Sequence, residues 1–196
     1  MNALANEWWI AAIAILVAMN PISTAPIYLA MTDGMSTDQR KGLIRDATAL
    51  AAVVSLAICW IGNAMLSAIG VTIGDLRIAG GLTLIGLGFH DLVLSRQIRK
   101  TRHTVDIGAV PIGVPLMVGP ATMTTLIIGA EESGYILTTL ALLPNLVLSW
   151  FVMTNAHRMI PLIGDSGAKA FGKFMSLILM AIGVAMVRAT VMALAG

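Results

Sequence analysis

The sequence predicts an all-α membrane protein with six transmembrane spans, arranged as two inverted three-helix repeats in which spans 1 and 4 are interrupted at mid-membrane. The first observation is composition: 58% of the residues are hydrophobic, 11% are charged, and the mean hydropathy is +0.89. A soluble domain of 196 residues does not need that much apolar surface. The second observation is a pair of uncharged apolar stretches broken by prolines. The third is the clustering of basic residues in alternate joins between the spans.

Six apolar stretches account for the spans. They lie at about residues 8–31, 46–69, 76–95, 108–130, 135–154 and 172–193. Trp8 and Trp9 lie where an interfacial belt would anchor span 1. No basic n-region or cleavage site marks this span as a signal peptide, so we expect it to be retained. We expect one integral membrane domain, with a first repeat over 1–97, a cytoplasmic linker over 98–107 and an inverted second repeat over 108–196.

Span 1 contains an interruption. Residues 10–31 are 22 uncharged residues, enough for a helix rising about 1.5 Å per residue to cross a hydrocarbon core of roughly 30 Å. Pro21 and Pro26 lie at its centre, and each lacks an N–H and clashes with the carbonyl group four residues earlier. We therefore expect two half-helices meeting in the membrane, an upper one ending near Met19 and a lower one beginning near Ala25.

The junction of these half-helices is a candidate ligand site. The lower half-helix would have Pro26 in its first turn and Ser23 or Thr24 as its cap. Such a junction presents N–H groups and the positive end of a helix dipole at mid-depth, which suits an anionic group of a ligand.

Span 4 repeats this arrangement. Residues 110–129 are 20 uncharged residues broken at Pro115 and at Gly119-Pro120. Proline and glycine are common in membrane helices, so one such break would indicate only a structural kink. Two corresponding breaks in the two halves of a chain are instead typical of a transporter's substrate site.

The two breaks also match in their hydroxyl groups. Aligning Pro21 with Pro120 places Ser23 on Thr122, two residues after the proline in each break. A neutral, hydroxyl-lined site between two helix N-termini suits a carboxylate on an otherwise uncharged body, and suits a cationic drug poorly. The predicted substrate-binding residues are Asn20, Pro21, Ser23, Thr24, Gly119, Pro120, Thr122, Thr124 and Thr125.

The distribution of basic residues predicts the orientation. The opposite side of the membrane carries only Arg77, with Arg188 near the end of span 6. By the positive-inside rule the basic joins face the cytoplasm and both termini face the periplasm. These joins are short and solvate helix ends, so we expect no nucleic-acid partner. The first, third and fifth joins hold Arg40, Lys41, Arg45, Arg96, Arg99, Lys100, Arg102, Arg158, Lys169 and Lys173.

Small residues form a second matched pair. Gly81 and Gly88 in span 3 correspond to Ser176 and Gly183 in span 6, seven residues apart in both spans. This spacing puts two small residues on one helix face, where backbones can approach closely. We expect these four residues to make helix-packing contacts.

Ionisable residues inside a membrane are costly, which makes His90 and Asp91 in span 3 a candidate proton or ion relay. Both lie only a few residues from Arg96, so snorkelling or pairing with Arg96 is the favoured interpretation. Arg188 lies near the outer end of span 6 and is expected to snorkel as well.

Four further polar residues are expected to have structural roles. Asn63 and Asn145 are candidates for hydrogen bonds across helices. Glu131 and Glu132 lie at the outer end of span 4 and are expected to be solvated.

Four stretches carry a family resemblance. They are residues 20–29 (NPISTAPIYL), 76–82 (LRIAGGL), 114–125 (VPLMVGPATMTT) and 180–186 (MAIGVAM). With these in order, the chain resembles the MarC family, which is also classed as six-span neutral amino acid transporters. The resemblance implies an inner-membrane protein with two inverted three-helix repeats. It also implies a substrate held between the interrupted first and fourth helices, with glycine and alanine as candidates.

Four positions depart from the family pattern. Asn20 stands where family members often have Asp, and Ala121 stands where Gly is usual, so a bulkier break would narrow the site. His90 and Asp91 replace residues that the resemblance implies to be apolar.

The sequence therefore favours a secondary transporter of small neutral amino acids that works by alternating access around a central site. The alternative is a lipid-carrier or amphiphile translocase of the same general architecture. A deep basic residue would favour that alternative, and only Arg77 and Arg188 are candidates. A coupling proton or sodium ion and a homo-oligomer in the lipid bilayer both stay open.

An intramembrane enzyme is the least favoured class. It would need a nucleophile with a base, or a metal cluster, and the scattered His90, His103 and His157 with the lone Cys59 offer neither. No nucleotide-binding motif is present. We expect no catalytic residue, cofactor or metal.

Overall fold

The structure, a computed structural model, describes residues 3–32, 34–94 and 112–195, and within these ranges it is helical without strands. The all-α prediction is confirmed for this part of the chain. The helices are α1 (Ala3–Met19), α2 (Pro21–Met31), α3 (Thr37–Ala68), α4 (Ile73–Phe89), α5 (Pro120–Ser133) and α6 (Tyr135–Ala195), with π-helical segments at His90–Leu94 and Ile112–Met117.

α6 consists of two arms. Its 61 residues include Gly164, whose φ of 72° and ψ of 155° are not helical, so the chain kinks there. A positive φ carries no steric penalty at glycine because the residue has no Cβ. The first arm corresponds to predicted span 5 and the second arm to predicted span 6.

Four helical stretches in the described ranges are long and apolar enough to cross a membrane. The helices α4 and α5 are shorter, with 17 and 14 residues. Predicted spans 3 and 4 overlap these helices and contain the π-helical segments beside them, and the six-span arrangement stays a prediction. The predicted linker, 98–107, lies outside the described residues. The four stretches are Leu4–Leu29, Thr37–Ala68, Tyr135–Met159 and Ala170–Ala193.

Two helices begin at reciprocal caps. The Ser36 hydroxyl accepts from the Gln39 N–H at 3.3 Å, and the Ser36 N–H donates to the Gln39 side chain at 2.8 Å. Thr72 and Asp75 form the same capping box at the start of α4. Hydrogen bonds from the Thr72 hydroxyl and N–H hold the pKa of the Asp75 carboxyl below its usual value. These capping boxes determine the residues at which α3 and α4 begin.

The main apolar core joins α1, α2, α3, the Ile112–Met117 segment and the first arm of α6. Ile15, Ile44, Ile112, Leu142 and Met153 are among its buried side chains. Large apolar side chains are also exposed on the outside of the helices, which is typical of a surface that faces lipid.

Hydrogen bonds and an ion pair connect neighbouring helices, and hydrogen bonds were the role predicted for Asn63 and Asn145. The Asn145 amide donates to the Ala12 carbonyl oxygen at 3.0 Å, joining α6 to α1. The Asn63 amide donates to a Glu131 carboxylate oxygen at 2.7 Å. Glu132 forms an ion pair with Arg77 between α5 and α4. Both glutamates are exposed as expected, but each has a protein partner, which the sequence did not indicate.

The four predicted packing residues meet at the contact between α4 and the second arm of α6. A Cβ added to Gly81 would lie 2.6 Å from the Gly183 carbonyl oxygen, and one added to Gly183 would lie 2.5 Å from the Gly81 carbonyl oxygen. A Cβ at Gly88 would lie 2.6 Å from the Ser176 carbonyl oxygen. The two helices therefore run antiparallel with their backbones in contact over two turns.

Candidate functional site

The first break occupies a single residue. α1 ends at Met19, Asn20 adopts a left-handed conformation (φ 43°, ψ 57°), and α2 begins at Pro21. Among the described residues other than glycine, only Asn20 has a positive φ. Asparagine tolerates this conformation better than most residues. Its half-buried side chain makes no capping hydrogen bond.

The prediction that the lower half-helix begins near Ala25 is wrong. Proline is favoured at the first position of a helix, where its missing N–H would have no partner anyway, so Pro21 starts α2 instead of delaying it. Pro26 consequently lies inside α2 rather than in its first turn. Neither Ser23 nor Thr24 is the cap. The Thr24 hydroxyl instead donates to the Pro21 and Asn20 carbonyl oxygens at 3.1 and 3.3 Å.

The second break is longer. The π-helical segment Ile112–Met117 includes Val114 in an extended conformation (φ −138°, ψ 121°). Gly119 is the N-cap of α5, and Pro120 is its first residue. Predicted break residue Pro115 lies inside the segment. This irregular backbone is covered by protein: a Cβ at Gly113 would lie 2.5 Å from the Ala47 carbonyl oxygen of α3.

The half-helices α2 and α5 start in the same register. Each begins at a proline, and each has a hydroxyl residue at its third position, Ser23 and Thr122. Both hydroxyl oxygens are buried, and neither has a hydrogen-bond partner among the described residues. An unsatisfied buried polar group costs about 1–3 kcal/mol. The hydroxyl groups of Ser23 and Thr122 could therefore form hydrogen bonds with a ligand, since no described residue bonds to them.

The other predicted threonines differ from this pair. The Thr125 hydroxyl donates to the Ala121 carbonyl oxygen at 2.9 Å, within α5. Thr124 is buried against α4, where its methyl group occupies the space that a Cβ on Gly80 would need. Thr124 therefore helps to pack α5 on α4, and Gly80 allows the close approach.

Each of the two breaks lies beside the second arm of α6. Val17 of α1, Ala121 of α5 and Leu179 of the second arm of α6 belong to one buried apolar cluster. Ser23 faces Gly172 on the same arm, where an added Cβ would lie 3.3 Å from the hydroxyl oxygen. Sequence reasoning did not predict Gly172, because nothing in its local sequence indicates a partner on α2. Around the two breaks Pro21, Ala121 and Thr122 are buried, whereas Pro120 is exposed.

The candidate relay residues follow the C-terminal end of α4. His90 is exposed at the start of the π-helical segment His90–Leu94. Asp91 follows it, but its side chain and the whole of Arg96 lie outside the described residues. Arg188 is exposed on the second arm of α6. No group of three His, Cys, Asp or Glu side chains within the described ranges could hold a metal ion.

Comparison with known proteins identifies the family. Residues 5–194 match the model of the MarC family, described as integral membrane proteins. A UPF0056 membrane protein of Buchnera aphidicola subsp. Schizaphis graminum is 26% identical over 88% of this chain and 85% of its own length.

Other relatives show the same full-length similarity. The UPF0056 membrane protein YvbG of Bacillus subtilis is 24% identical, with 90% of each chain covered. The UPF0056 inner membrane protein MarC of Citrobacter koseri is 22% identical, with 88% of each chain covered. No solved structure matches the chain significantly. The chain belongs to the MarC family of integral membrane proteins.

Proposed function

We propose that this protein is a secondary transporter of small neutral amino acids such as glycine and alanine, working by alternating access across the inner membrane. In this proposal six spans form two inverted repeats, 1–97 and 108–196, joined by a cytoplasmic linker at 98–107. Both termini face the periplasm. The proposal assigns the chain no catalytic residue, cofactor or metal.

One observation carries the proposal: the matched, unpartnered hydroxyl groups of Ser23 and Thr122 at the starts of two half-helices. The first N–H groups of a helix have no intrahelical acceptor, and the helix dipole adds partial positive charge there. Two such ends suit a carboxylate, and the hydroxyl groups supply further donors and acceptors. No charged side chain belongs to either break, which favours a ligand without net charge.

The backbone around the breaks supports alternating access. Asn20 and Gly119 connect each half-helix to the preceding segment through one or two non-helical residues, and such positions absorb rotations between rigid helices. Pro21, Ala121 and Thr122 are buried, so in this proposal protein would shield a ligand at the breaks on the side of these residues.

The amphiphile translocase alternative receives less support from the basic residues. Arg77 is ion-paired with Glu132, and Arg188 is exposed on the outside of α6. Neither lies at a break, where a phosphate head group would need it.

Reconstitution into proteoliposomes tests the proposal directly. We expect labelled glycine or alanine to accumulate, with a proton or sodium gradient increasing the uptake if either ion is coupled. Empty liposomes and liposomes containing Gly81→Leu protein provide controls for leakage and for misfolded protein. Absence of uptake and of counterflow, together with movement of a fluorescent lipid analogue, would instead favour the translocase.

The orientation has a separate test by cysteine accessibility. The native thiol is removed as Cys59→Ala, and single cysteines are placed at Glu131 and Lys100. Because the basic joins are expected to face the cytoplasm, an impermeant thiol reagent should label Glu131→Cys in intact spheroplasts. Lys100→Cys should react only after permeabilisation. Labelling of both sites from the same side would contradict the inverted arrangement.

A further inference from the structure

A small cavity lies at the end of α2 that is remote from Asn20. Its volume is about 50 Å³, and its polar lining residues come from α2, α3 and the first arm of α6. On this measure roughly 10–15 Å³ suffices for one water molecule, so the cavity has room for a compact polar group. The polar lining residues are Tyr28, Thr37, Arg40, Lys41, Thr154 and His157.

The charged residues that line the cavity within the described part of the chain are basic. Arg40 and Lys41 line it, and none of the lining residues that the structure describes is acidic. Asp38 lies in the same turn of α3 but does not line the cavity, and it is exposed. An anion in the cavity would therefore face two cations, with no competing carboxylate among the lining residues that the structure describes.

Arg40 is held in position for such a ligand. Its Nε donates to the Thr32 carbonyl oxygen at 3.1 Å, which fixes the plane of the guanidinium group. The remaining N–H groups make no hydrogen bond or ion pair with residues that the structure describes. A guanidinium group oriented in this way can donate two parallel hydrogen bonds to an oxyanion.

Thr154 supplies an independent observation on the wall that the first arm of α6 contributes. Its hydroxyl oxygen is buried and has no hydrogen-bond partner within the described part of the chain. A threonine in a helix usually donates back to a carbonyl group one turn earlier, as Thr48 does to Ile44 at 2.7 Å. Thr154 donates no such hydrogen bond, and it lines the same cavity as the two basic residues.

We propose that this cavity binds a phosphate group, with Arg40 and Lys41 supplying charge and Thr154 a hydroxyl donor. The group comes either from an anionic lipid head group or from free phosphate. Arg40 and Lys41 lie in the first turns of α3, and in the predicted orientation this end of the helix faces the head groups of the cytoplasmic leaflet. The cavity is separate from the two breaks, so this proposal does not depend on amino acid transport.

Thermal stabilisation of the full chain in a neutral detergent tests the proposal. The probes are short-chain phosphatidylglycerol and inorganic phosphate, with short-chain phosphatidylcholine as the lipid without net charge. We expect Lys41→Gln to weaken binding of the preferred probe by about tenfold, as expected for one charge-assisted hydrogen bond. Thr154→Val should weaken it about threefold or more. Lys173→Gln, an exposed lysine that does not line the cavity, is the matched control and should leave binding unchanged.

The outcomes separate the two ligand sources. Preference for phosphatidylglycerol over inorganic phosphate at equal concentration identifies a lipid site, and the reverse identifies a free-anion site. Lys41→Arg keeps the charge and should retain binding, which shows that loss in Lys41→Gln does not reflect misfolding. Stabilisation by neither probe, or equal weakening in Lys41→Gln and Lys173→Gln, would overturn the proposal.

Discussion

Gly81→Ala is expected to destabilise the protein by about 1–3 kcal/mol, the range for overpacking a tight contact. The new Cβ would lie 2.6 Å from the Gly183 carbonyl oxygen, a backbone atom that cannot move aside alone. Gly81→Leu should lower the free energy of unfolding further, because a branched side chain forces the two backbones apart. Equilibrium unfolding in mixed micelles, followed by circular dichroism, measures the change.

Gly86 provides the matched control, because it lies on the same helix. An added Cβ there would meet nothing within 4 Å, and the residue is exposed. Gly86→Ala should therefore stabilise the protein by about 0.5–1 kcal/mol, since alanine loses less backbone entropy in a helix. If the two alanine variants change stability equally, the contact between α4 and α6 is not tight in solution.

Ser23→Ala and Thr122→Ala are each expected to weaken substrate binding about two- to tenfold, which corresponds to a lost hydrogen bond of roughly 0.5–1.5 kcal/mol. Neither hydroxyl group has a hydrogen-bond partner among the described residues, so the stability of the unliganded protein should stay the same or rise. The measurement is the shift in melting temperature that saturating glycine or alanine adds to each variant. A shared ligand also predicts non-additive effects in the double variant.

Thr24→Ala and Thr125→Ala serve as controls at the same two breaks. Their hydroxyl groups donate within α2 and α5, so these variants lose an internal bond and should keep ligand-induced stabilisation. Helix capping no longer competes as an explanation for Ser23 or Thr122, because neither break has a side-chain cap. Full ligand-induced stabilisation in Ser23→Ala and in Thr122→Ala would place the substrate elsewhere, with the His90–Asp91 region as the next candidate.

The positions of proline and glycine in the sequence predict the two helix interruptions and the close contact between α4 and the second arm of α6. Pro21 and Pro120 remove backbone donors, so the interruptions follow from local chemistry that needs no knowledge of the fold. The seven-residue spacing of Gly81 and Gly88 likewise specifies one helix face, and the structure brings that face against Ser176 and Gly183. The resemblance to the MarC family was confirmed over residues 5–194.

Other features depend on neighbours that are distant in sequence. The start of α2 differs from the prediction because Pro21 both ends one helix and suits the first position of the next. The pairing of Arg77 with Glu132 depends on how α4 lies beside α5, and no periodicity indicates it. The cavity beside Thr154 is not predictable from the sequence, because one of its walls comes from the first arm of α6, far from α2 and α3 in the chain.

The backbone contact between α4 and the second arm of α6 has a mechanical consequence. Gly81 lies in the first predicted repeat and Gly183 in the second, yet their backbones touch, and the contact continues to Gly88 and Ser176. Two helices in such contact over two turns cannot slide or tilt separately without breaking it. During rocking they would move as one rigid body containing a helix from each half of the chain. The rigid bodies that move would then not coincide with the two halves of the sequence, because one of them would combine α4 from the first half with the second arm of α6 from the second half.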